Sequence, residues 1–358
     1  MKYDAREILK RAIDEGSSDI FFVAGSPYAF MHNGVIVKQG EDFLRPDDCE
    51  DIIRQIYELD NGKNIENFLK SGDDDFSFSL PGVGRFRVNA YRQRNSLAAV
   101  LRVVKFGIPN YKELSIPEEV IDLYNVKKGM IIVSGPAGSG KSTTLACIVD
   151  KINENRSSHI VTLEDPIEFL HQHKKSIISQ REIFHDSNSY LGGLRAALRE
   201  TPEVILLGEM RDPETISTAI TAAETGHLLL ASLHTVGTVN TIDRILDTFT
   251  INREQIRMQL SQVISAIVSE QLVPTVDGKL IPVFEIMKTN TAIRSQIREN
   301  KLHLLENTML SYKNEGMMTM DDSLYDLYKS GKITLETALA YCVHRDIFER
   351  RVMFAKES

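Results

Sequence analysis

A glycine-rich segment at residues 135–142 constrains this chain more than any other feature. It reads GPAGSGKS and matches the pattern G-x-x-x-x-G-K-S/T at every defined position. The apolar run Gly129–Ser134 precedes it and predicts a buried strand, and the residues from Lys141 onward predict a helix. A strand, a glycine-rich turn and a helix in this order predict a phosphate-binding loop within an α/β domain.

The chemistry of this segment follows from its backbone. Glycines let successive N–H groups turn inward around phosphate oxygens, and the N-terminus of the following helix adds a partial positive charge. The Lys141 side chain can reach the outer phosphates of a nucleotide, and the Ser142 hydroxyl can ligate Mg²⁺. We therefore expect nucleotide contacts from Gly135, Pro136, Ala137, Gly138, Ser139, Gly140, Lys141 and Ser142.

Acidic residues follow two apolar strands and could complete such a site. The run Val204–Leu207 predicts a strand that leads to Glu209, where a carboxylate could orient and activate an attacking water. Glu164 and Asp165 follow the strand His159–Leu163 and could hold Mg²⁺ through water. Both groups could equally be solvated acids at strand ends, and the pattern alone leaves this open.

Histidines and arginines are further candidates for contacts with phosphate. His227 and His234 bracket the apolar strand Leu228–Ser232, where an imidazole could donate to phosphate or be satisfied within the fold. The segment GRFRVNAYRQR at residues 84–94 is densely basic in an acidic chain. Arginines bind phosphate through parallel hydrogen bonds, but they also cover solvated strand faces, and both interpretations stay open. The arginines concerned are Arg85 and Arg87, on one strand face, and Arg92 and Arg94, which repeat the spacing.

The order of elements predicts a two-domain α/β protein. Residues 1–104 mix helices with short strands joined by turns, which predicts a small α+β domain. Residues 105–117 contain Gly107 and Pro109 without periodicity and predict a linker. Strands alternate with helices in residues 118–358, which predicts a mostly parallel sheet covered on both faces, and the part from about 290 to 358 looks mainly helical.

The segment that starts at Asn252 predicts a helix that continues through Val268. Asn252 and Gln255 fit a capping box, and an apolar stripe then repeats at helical spacing. We interpret this stripe as ordinary core packing of a helix rather than as a binding surface. Its members are Leu260, Val263, Ile264, Ile267 and Val268.

Composition argues against several classes of protein. Lys and Arg total 42 against 50 Asp and Glu, a formal net charge of −8, so we expect no nucleic-acid partner. The cysteines, Cys49, Cys147 and Cys342, lie far apart, so we expect neither a disulfide framework nor a structural zinc site. No apolar run approaches the roughly 20 residues that span a bilayer, and the N-terminus lacks a signal-peptide pattern, so we expect no direct membrane insertion.

Several segments together resemble the secretion/pilus ATPase superfamily, and specifically the twitching-motility ATPases that retract type IV pili. They are GRFRVNAYRQR, SGPAGSGKSTTLA, TLEDPIEF, LRAALRETPEVILLGEMRDPETI, TAAETGHLLLASLHT, TIDRILDTF, AIRSQIRENK and GMMTMDDSL. The resemblance covers nearly the whole chain. It implies a PAS-like N-terminal domain, a RecA-like P-loop ATPase domain and a ring-shaped hexameric motor that hydrolyses ATP.

The resemblance also implies roles for particular residues. TLEDPIEF is similar to the family's Asp box, GEMRD to the end of its Walker B segment, and TGHL with SLHT to its His box. These similarities imply catalytic roles for Glu209, Glu164, His234 and His227, and contacts with ATP for Thr143, Asp165 and the arginines of residues 84–94. The implied partners are further copies of the chain and an inner-membrane pilus platform protein, which would hold the chain at the cytoplasmic face of that membrane.

The chain departs from the family pattern in three places, the first of which is Met31-His32-Asn33-Gly34, where an arginine is common. It has Thr201-Pro202-Glu203 where two acids usually precede the Walker B strand, and residues 292–299 read AIRSQIRE where the family has AIRNLIRE. Pilus assembly and type II secretion ATPases are an alternative, but they usually carry an extra N-terminal domain and a four-cysteine zinc insertion, which this sequence lacks. A nucleotide-binding scaffold that does not hydrolyse ATP is another, and the intact Lys141 and Glu209 count against it.

Overall fold

The computed structural model describes residues 2–32, 34–104 and 107–357, which form two compact units. The first unit comprises residues up to Gly107 together with Glu168–Leu170, and the second comprises Ile108–Ile167 and the residues from His171 onward. The predicted linker, residues 105–117, includes Lys105 and Phe106, which lie outside the described residues. The linker and the domain limits at 104 and 118 therefore stay predictions.

The first unit combines helices with one antiparallel sheet. Its elements are α1 (Ala5–Asp14), β1 (Asp19–Phe22), β2 (Ala29–His32), β3 (Val35–Lys38), α2 (Pro46–Leu59), α3 (Glu66–Ser71), β4 (Asp73–Leu80), β5 (Gly84–Gln93) and β6 (Ser96–Val104). The sheet has six strands in the order β3-β2-β1-β6-β5-β4, and every neighbouring pair is antiparallel. The predicted α+β architecture of this region is confirmed.

Local sequence explains how these elements begin and which face they bury. The Asp4 side chain accepts a hydrogen bond from the Glu7 backbone N–H at 3.2 Å and so caps α1. The apolar face of α1, with Ile8, Leu9 and Ala12, is buried in the core of the unit. Strand β5 alternates buried apolar residues with more exposed polar ones, which is the pattern of a sheet packed on one face.

The second unit is a layered α/β structure. Its sheet and the helices around it are α4 (Glu118–Ile121), β7 (Gly129–Ser134), α5 (Lys141–Asn155), β8 (His159–Glu164), β9 (Ile177–Glu182), α6 (Tyr190–Ala197), β10 (Val204–Leu207), α7 (Pro213–Glu224), β11 (Leu228–Leu233), α8 (Thr238–Asp247), α9 (Arg253–Val263), β12 (Ile264–Pro274) and β13 (Leu280–Lys288). The seven strands follow the order β13-β12-β7-β11-β10-β8-β9. Among the strand pairs described in this sheet, only β12 and β13 are antiparallel.

Burial explains why the inner strands read as continuous apolar runs. Strands β7, β10 and β11 are buried along their whole length, as parallel strands covered on both faces must be. Alternate residues of β7 point to opposite faces of the sheet. Ile132 packs in the apolar cluster on one face, and Ile131 and Val133 pack in the cluster on the other. The prediction of a mostly parallel sheet with a core on each face is confirmed.

Further helices follow β13 and complete the second unit. They are α10 (Thr291–Arg298), α11 (Leu305–Ser311), α12 (Met320–Lys329), α13 (Leu335–Tyr341) and α14 (Arg345–Glu357). In the described part of the chain, no helix has the length and apolar character needed to cross a membrane.

The segment after Asn252 departs from its predicted structure. Helix α9 ends at Val263 and strand β12 begins at Ile264, so the prediction of one helix through Val268 is wrong. Asn252 adopts a left-handed backbone with φ of +67° and its side chain makes no capping hydrogen bond, so the predicted capping box is also wrong. Pairing of β12 with β7 and β13 overrides the local spacing, because a strand buried on both faces has no alternation to distinguish it from a helix.

Candidate nucleotide site

The segment 135–142 forms the predicted turn between β7 and α5. Gly135, Gly138 and Gly140 have φ of +147°, +76° and +108°, a region that residues with a Cβ rarely adopt. A Cβ at Gly135 would also lie 2.2 Å from the carbonyl oxygen of Glu270 on β12. The loop therefore follows a path that glycine alone permits, and β12 forms the surface beneath it.

The Lys141 ammonium is held inside this loop. Its Nζ donates to the carbonyl oxygens of Gly135 at 3.0 Å and Pro136 at 2.8 Å, and it lies 3.4 Å from Nδ1 of His234. The residue is only 7% exposed. Because an ammonium can only donate, His234 accepts at Nδ1. Phosphate oxygens are charged acceptors and would bind this ammonium more strongly than the neutral carbonyls do.

Glu209 lies on the other side of His234. Its Oε1 is 3.3 Å from Nε2 of His234 and 2.7 Å from Nε of Arg211. Since His234 accepts from Lys141 at Nδ1, its proton is on Nε2 and is donated to Glu209. The hydrogen bond and the charge of Glu209 raise the pKa of Arg211. The side chains of Lys141, His234, Glu209 and Arg211 thus form a continuous polar line.

The predicted acids Glu164 and Asp165 lie at the same edge of the sheet as Glu209. They occur at and just beyond the end of β8, which runs parallel to and beside β10, so the carboxyl ends of the two strands meet. Oε1 of Glu164 accepts from the Thr162 hydroxyl at 2.6 Å and from Nε2 of Gln180 at 3.3 Å. Asp165 is exposed.

Tyr190 is a half-buried tyrosine near these carboxylates. Burial raises the pKa of Tyr190, and the charges of Asp165, Glu209 and Glu164 raise it further. A Cβ at Gly208, the residue before Glu209, would lie 3.1 Å from the Tyr190 hydroxyl oxygen and 3.3 Å from the Cα of Glu164. The ends of β8 and β10 therefore meet beside this phenol. Glu164 and Asp165 lie at and just beyond the end of β8, and Glu209 follows the neighbouring β10, as the sequence pattern predicts.

His227 lies at the opposite edge of the sheet. Its Nδ1 donates to the Ala222 carbonyl at 2.9 Å and is 3.2 Å from the Thr225 hydroxyl. The six residues of β11 separate it from His234, so the two histidines are seven steps apart, or about 23 Å at a rise of about 3.3 Å per residue. The structure brings His234 to the loop and leaves His227 away from the loop of its own chain, so a catalytic role for His227 stays a prediction.

The candidate arginines belong to β5 of the first unit and the turn after it. Arg85 and Arg87 lie on the face of β5 opposite its buried apolar side chains, and Arg85 donates to a serine hydroxyl of β4 at 3.1 Å. Arg92 donates to the Leu69 carbonyl at 3.0 Å, and Arg94 occupies the turn that follows. Arg85 is half-buried and the other three are exposed. Their contact with nucleotide stays a prediction.

Sequence reasoning missed a cavity beside the loop. A space of about 640 Å³ opens next to Ser139, Gly140, Thr143 and Thr144. Its size and its apolar lining suit the base and ribose of a nucleotide whose phosphates lie in the loop. The prediction missed it because a helix through residue 268 removes β12 and its partner β13 from the sheet. Its apolar walls are Ile116, Leu272, Leu280, Ile281, Pro282 and Phe284.

Glu270, which also lines this cavity, is the second feature that the sequence did not indicate. It is 1% exposed, and its Oε2 accepts from the Thr144 hydroxyl at 2.6 Å. Burial raises the pKa of Glu270 to about 7, although the Thr144 hydroxyl and the charge of Lys141 both favour the ionised form. A single acid inside an apolar run belongs to no motif, so only the structure shows that it lies beneath the loop.

Comparison with known proteins agrees with this geometry. Residues 2–327 match the family model for type II/IV secretion system proteins. The chain belongs to this family. A twitching motility protein of Neisseria gonorrhoeae is 44% identical over 292 residues, which are 81% of this chain and 78% of the relative. The type IV pilus retraction ATPase PilT of Pseudomonas aeruginosa is 39% identical over 336 residues, which are 94% of this chain and 97% of the relative.

A solved structure extends the similarity within this family to the fold. It is the crystal structure of the pilus retraction motor PilT with bound ADP, with a TM-score of 0.87 at 44% identity, and the match covers 98% of this chain and 100% of that chain. The predicted resemblance to the retraction ATPases is confirmed. So is the predicted fold, a P-loop ATPase domain with a largely parallel sheet behind a smaller antiparallel domain.

Proposed function

We propose that this chain is an ATPase whose hydrolysis of ATP powers the retraction of type IV pili and so supports twitching motility. The observation that carries the proposal is the contact of His234 with both Lys141 and Glu209. It would join a cation that binds phosphate to an acid that activates water. Membership of the secretion family and similarity to a retraction ATPase over nearly the whole chain support the same function.

ATP would bind with its base in the cavity and its phosphates in the loop. Lys141 would then exchange two carbonyl acceptors for phosphate oxygens. The oxygen donors at this edge of the sheet suit Mg²⁺, which neutralises phosphate charge when bound. Ser142, exposed at the start of α5, would hold it directly, and Glu164 and Asp165 would hold it through water.

Glu209 would accept a proton from the water that attacks the outer phosphate. Its side chain is 16% exposed, so water reaches the carboxylate. His234 contacts Lys141 through Nδ1 and Glu209 through Nε2. If Lys141 moved onto phosphate, His234 would lose the hydrogen bond at Nδ1, and this loss would alter the imidazole that donates to Glu209. In this way the presence of phosphate would be transmitted to the base.

We further propose that the chain works as a homo-hexameric ring at the cytoplasmic face of the inner membrane, where it engages a pilus platform protein. Arg85, Arg87, Arg92 or Arg94 would contact nucleotide from the same chain or a neighbour, and the linker at residues 105–117 would let the two domains change orientation. Retraction is favoured over pilus assembly or type II secretion because the similarity to the retraction ATPase PilT spans most of both chains.

Deletion of the gene followed by complementation tests the proposed function. Cells without the chain are expected to keep surface pili but lose twitching motility, and the wild-type gene should restore movement where a Glu209→Gln gene does not. Loss of the pili themselves would indicate an assembly motor. Normal piliation with normal motility in the deletion strain would contradict both functions.

A further inference from the structure

A buried acid lies directly beneath the phosphate loop. Glu270 of β12 is 1% exposed. Its carbonyl oxygen lies 2.2 Å from the position of a Cβ at Gly135, and its Oε1 lies 3.3 Å from that of a Cβ at Gly140. One residue of β12 therefore approaches both ends of the loop, at a place where nucleotide would bring several negative charges.

The Glu270 side chain has too few hydrogen-bond donors around it to stabilise its ionised form. Oε2 accepts from the Thr144 hydroxyl at 2.6 Å. Oε1 is buried and has no hydrogen-bond partner in the described part of the chain. A buried carboxylate needs several donors to offset its lost hydration, whereas a protonated carboxyl needs fewer. The same burial is what raises the pKa of Glu270 to about 7.

The groups around Glu270 supply little positive charge to stabilise an ionised carboxylate. Lys141 of α5 is the cation that favours the carboxylate, but its ammonium also serves two loop carbonyls. Cys147 of α5 is a neutral thiol, since burial raises its pKa. On the neighbouring strands, Phe284 of β13 and Ser134 of β7 stand closest in register and carry no charge. The charged residues elsewhere in the cavity are Glu113, Asp277, Lys279 and Lys332.

We propose that Glu270 takes up a proton when nucleotide phosphates enter the loop, so that nucleotide binds more weakly as the pH rises. The inference rests on the proposed nucleotide site. Phosphates place negative charge above Glu270, and they also engage Lys141, whose charge otherwise favours the carboxylate. Glu270 touches no reacting atom. It is a positioning residue that holds the first turn of α5 through Thr144.

The pH range in which affinity changes follows from the direction in which the pKa of Glu270 is shifted. Below about pH 7 the carboxyl is protonated with or without nucleotide, so affinity is independent of this group. Above that pH the free protein loses the proton while the nucleotide-bound protein retains it, and binding must then recover a proton from solution. Affinity therefore falls about tenfold for each unit by which phosphates raise the pKa of Glu270.

Titration calorimetry with ADP at constant Mg²⁺ tests this in the full-length protein. Between pH 6.5 and 8.5 the affinity of the wild type should fall at least about fivefold more than that of Glu270→Gln, which keeps the shape of the side chain and cannot ionise. Titration of ADP itself cancels in this comparison. Glu336→Gln is the matched control, since it removes an exposed carboxylate of α13 that does not line the cavity, and its curve should follow the wild type.

Proton uptake gives a second readout. In buffers with different ionisation enthalpies at pH 8, the wild type should take up more protons per ADP than Glu270→Gln, by up to about one. Thr144→Val keeps the acid but removes the hydroxyl that stabilises its carboxylate, so its loss of affinity should begin at higher pH. This variant tests the inference even where Glu270→Gln does not fold.

The outcomes separate this inference from the proposed function. Parallel curves for wild type and Glu270→Gln, or an unshifted curve for Thr144→Val, would overturn proton uptake by Glu270 while ADP still binds. Failure of the wild type to bind ADP at any pH would overturn the nucleotide site itself, and the inference with it.

Discussion

The two units of this chain place their cationic side chains in opposite environments. In the second unit, Lys141 is buried within the loop, and carbonyl oxygens and a histidine already fix its ammonium. In the first unit, Arg87, Arg92 and Arg94 are exposed on a strand and its turn. A fixed cation is organised for phosphate before nucleotide arrives, whereas an exposed arginine gains a defined position only when it finds a partner. We infer that the second unit determines whether nucleotide binds and that the first unit adjusts how fast it is used.

The largest effect is expected from Lys141→Ala. The variant removes the ammonium that the structure places inside the phosphate loop. We therefore expect ATP hydrolysis to fall below detection. Steady-state phosphate release measures this, and a thermal melt shows whether the variant is folded. Turnover equal to the wild type would contradict the role inferred for the second unit, because the buried cation would then be dispensable.

Glu209→Gln should remove hydrolysis while leaving ATP binding intact, since an amide cannot accept the proton of the attacking water. A loss of about a hundredfold or more in kcat is expected. Glu164→Gln is the matched variant, because it changes an acid at the end of the neighbouring strand, and its loss should be smaller. If Glu164→Gln lost ATP hydrolysis and Glu209→Gln kept it, the catalytic base would be assigned to the wrong strand.

Single Gln variants of the four candidate arginines should have intermediate effects. At the productive position, kcat should fall about tenfold because one charged contact with the transition state is lost. Arg54→Gln is the control, since Arg54 lies in the same unit and pairs with Glu50 on the surface of α2. Full activity of all four variants would support the alternative, a solvated strand face.

A subunit-mixing assay decides between contact within a chain and contact across chains. Lys141→Ala subunits are mixed with subunits that carry the productive arginine variant, and phosphate release is compared with that of each variant alone. Contact from a neighbour predicts partial recovery on mixing and activity that rises with protein concentration. Absence of recovery would assign the arginine to the nucleotide site of its own chain.

The smallest effect is expected from Asp4→Ala in the first unit. Loss of the cap at the start of α1 should lower the free energy of unfolding by about 1 kcal/mol. Chemical denaturation measures this change. ADP affinity should be unaffected, and a marked loss of affinity would show that the first unit contributes to binding more than we infer.

The parts of the site that were predictable depend on local spacing. The loop, Lys141 and the acids at the ends of β8 and β10 follow from a strand with particular residues directly after it. His227 and His234 looked equivalent because they bracket one strand. The two ends of a strand lie at opposite edges of its sheet, however, so only one of them can lie beside the loop.

The rest of the site depends on pairing between distant segments. Strand β12 lies more than a hundred residues beyond β7, and its apolar run gives no local sign that the two will pair. The cavity walls and Glu270 follow from that pairing, so they were missed together. Arg211 lies within the GEMRD segment, but its hydrogen bond to Glu209 depends on a side-chain position that a motif does not specify.

ADP affinity distinguishes the contributions of the two units to nucleotide binding. ADP affinity is determined for the wild type, for Lys141→Ala and for a variant with Gln at residues 85, 87, 92 and 94, each checked for folding. We expect an affinity within about threefold of the wild type for the arginine variant and a loss of at least about a hundredfold for Lys141→Ala. Loss of binding in the arginine variant with retention in Lys141→Ala would contradict this expectation.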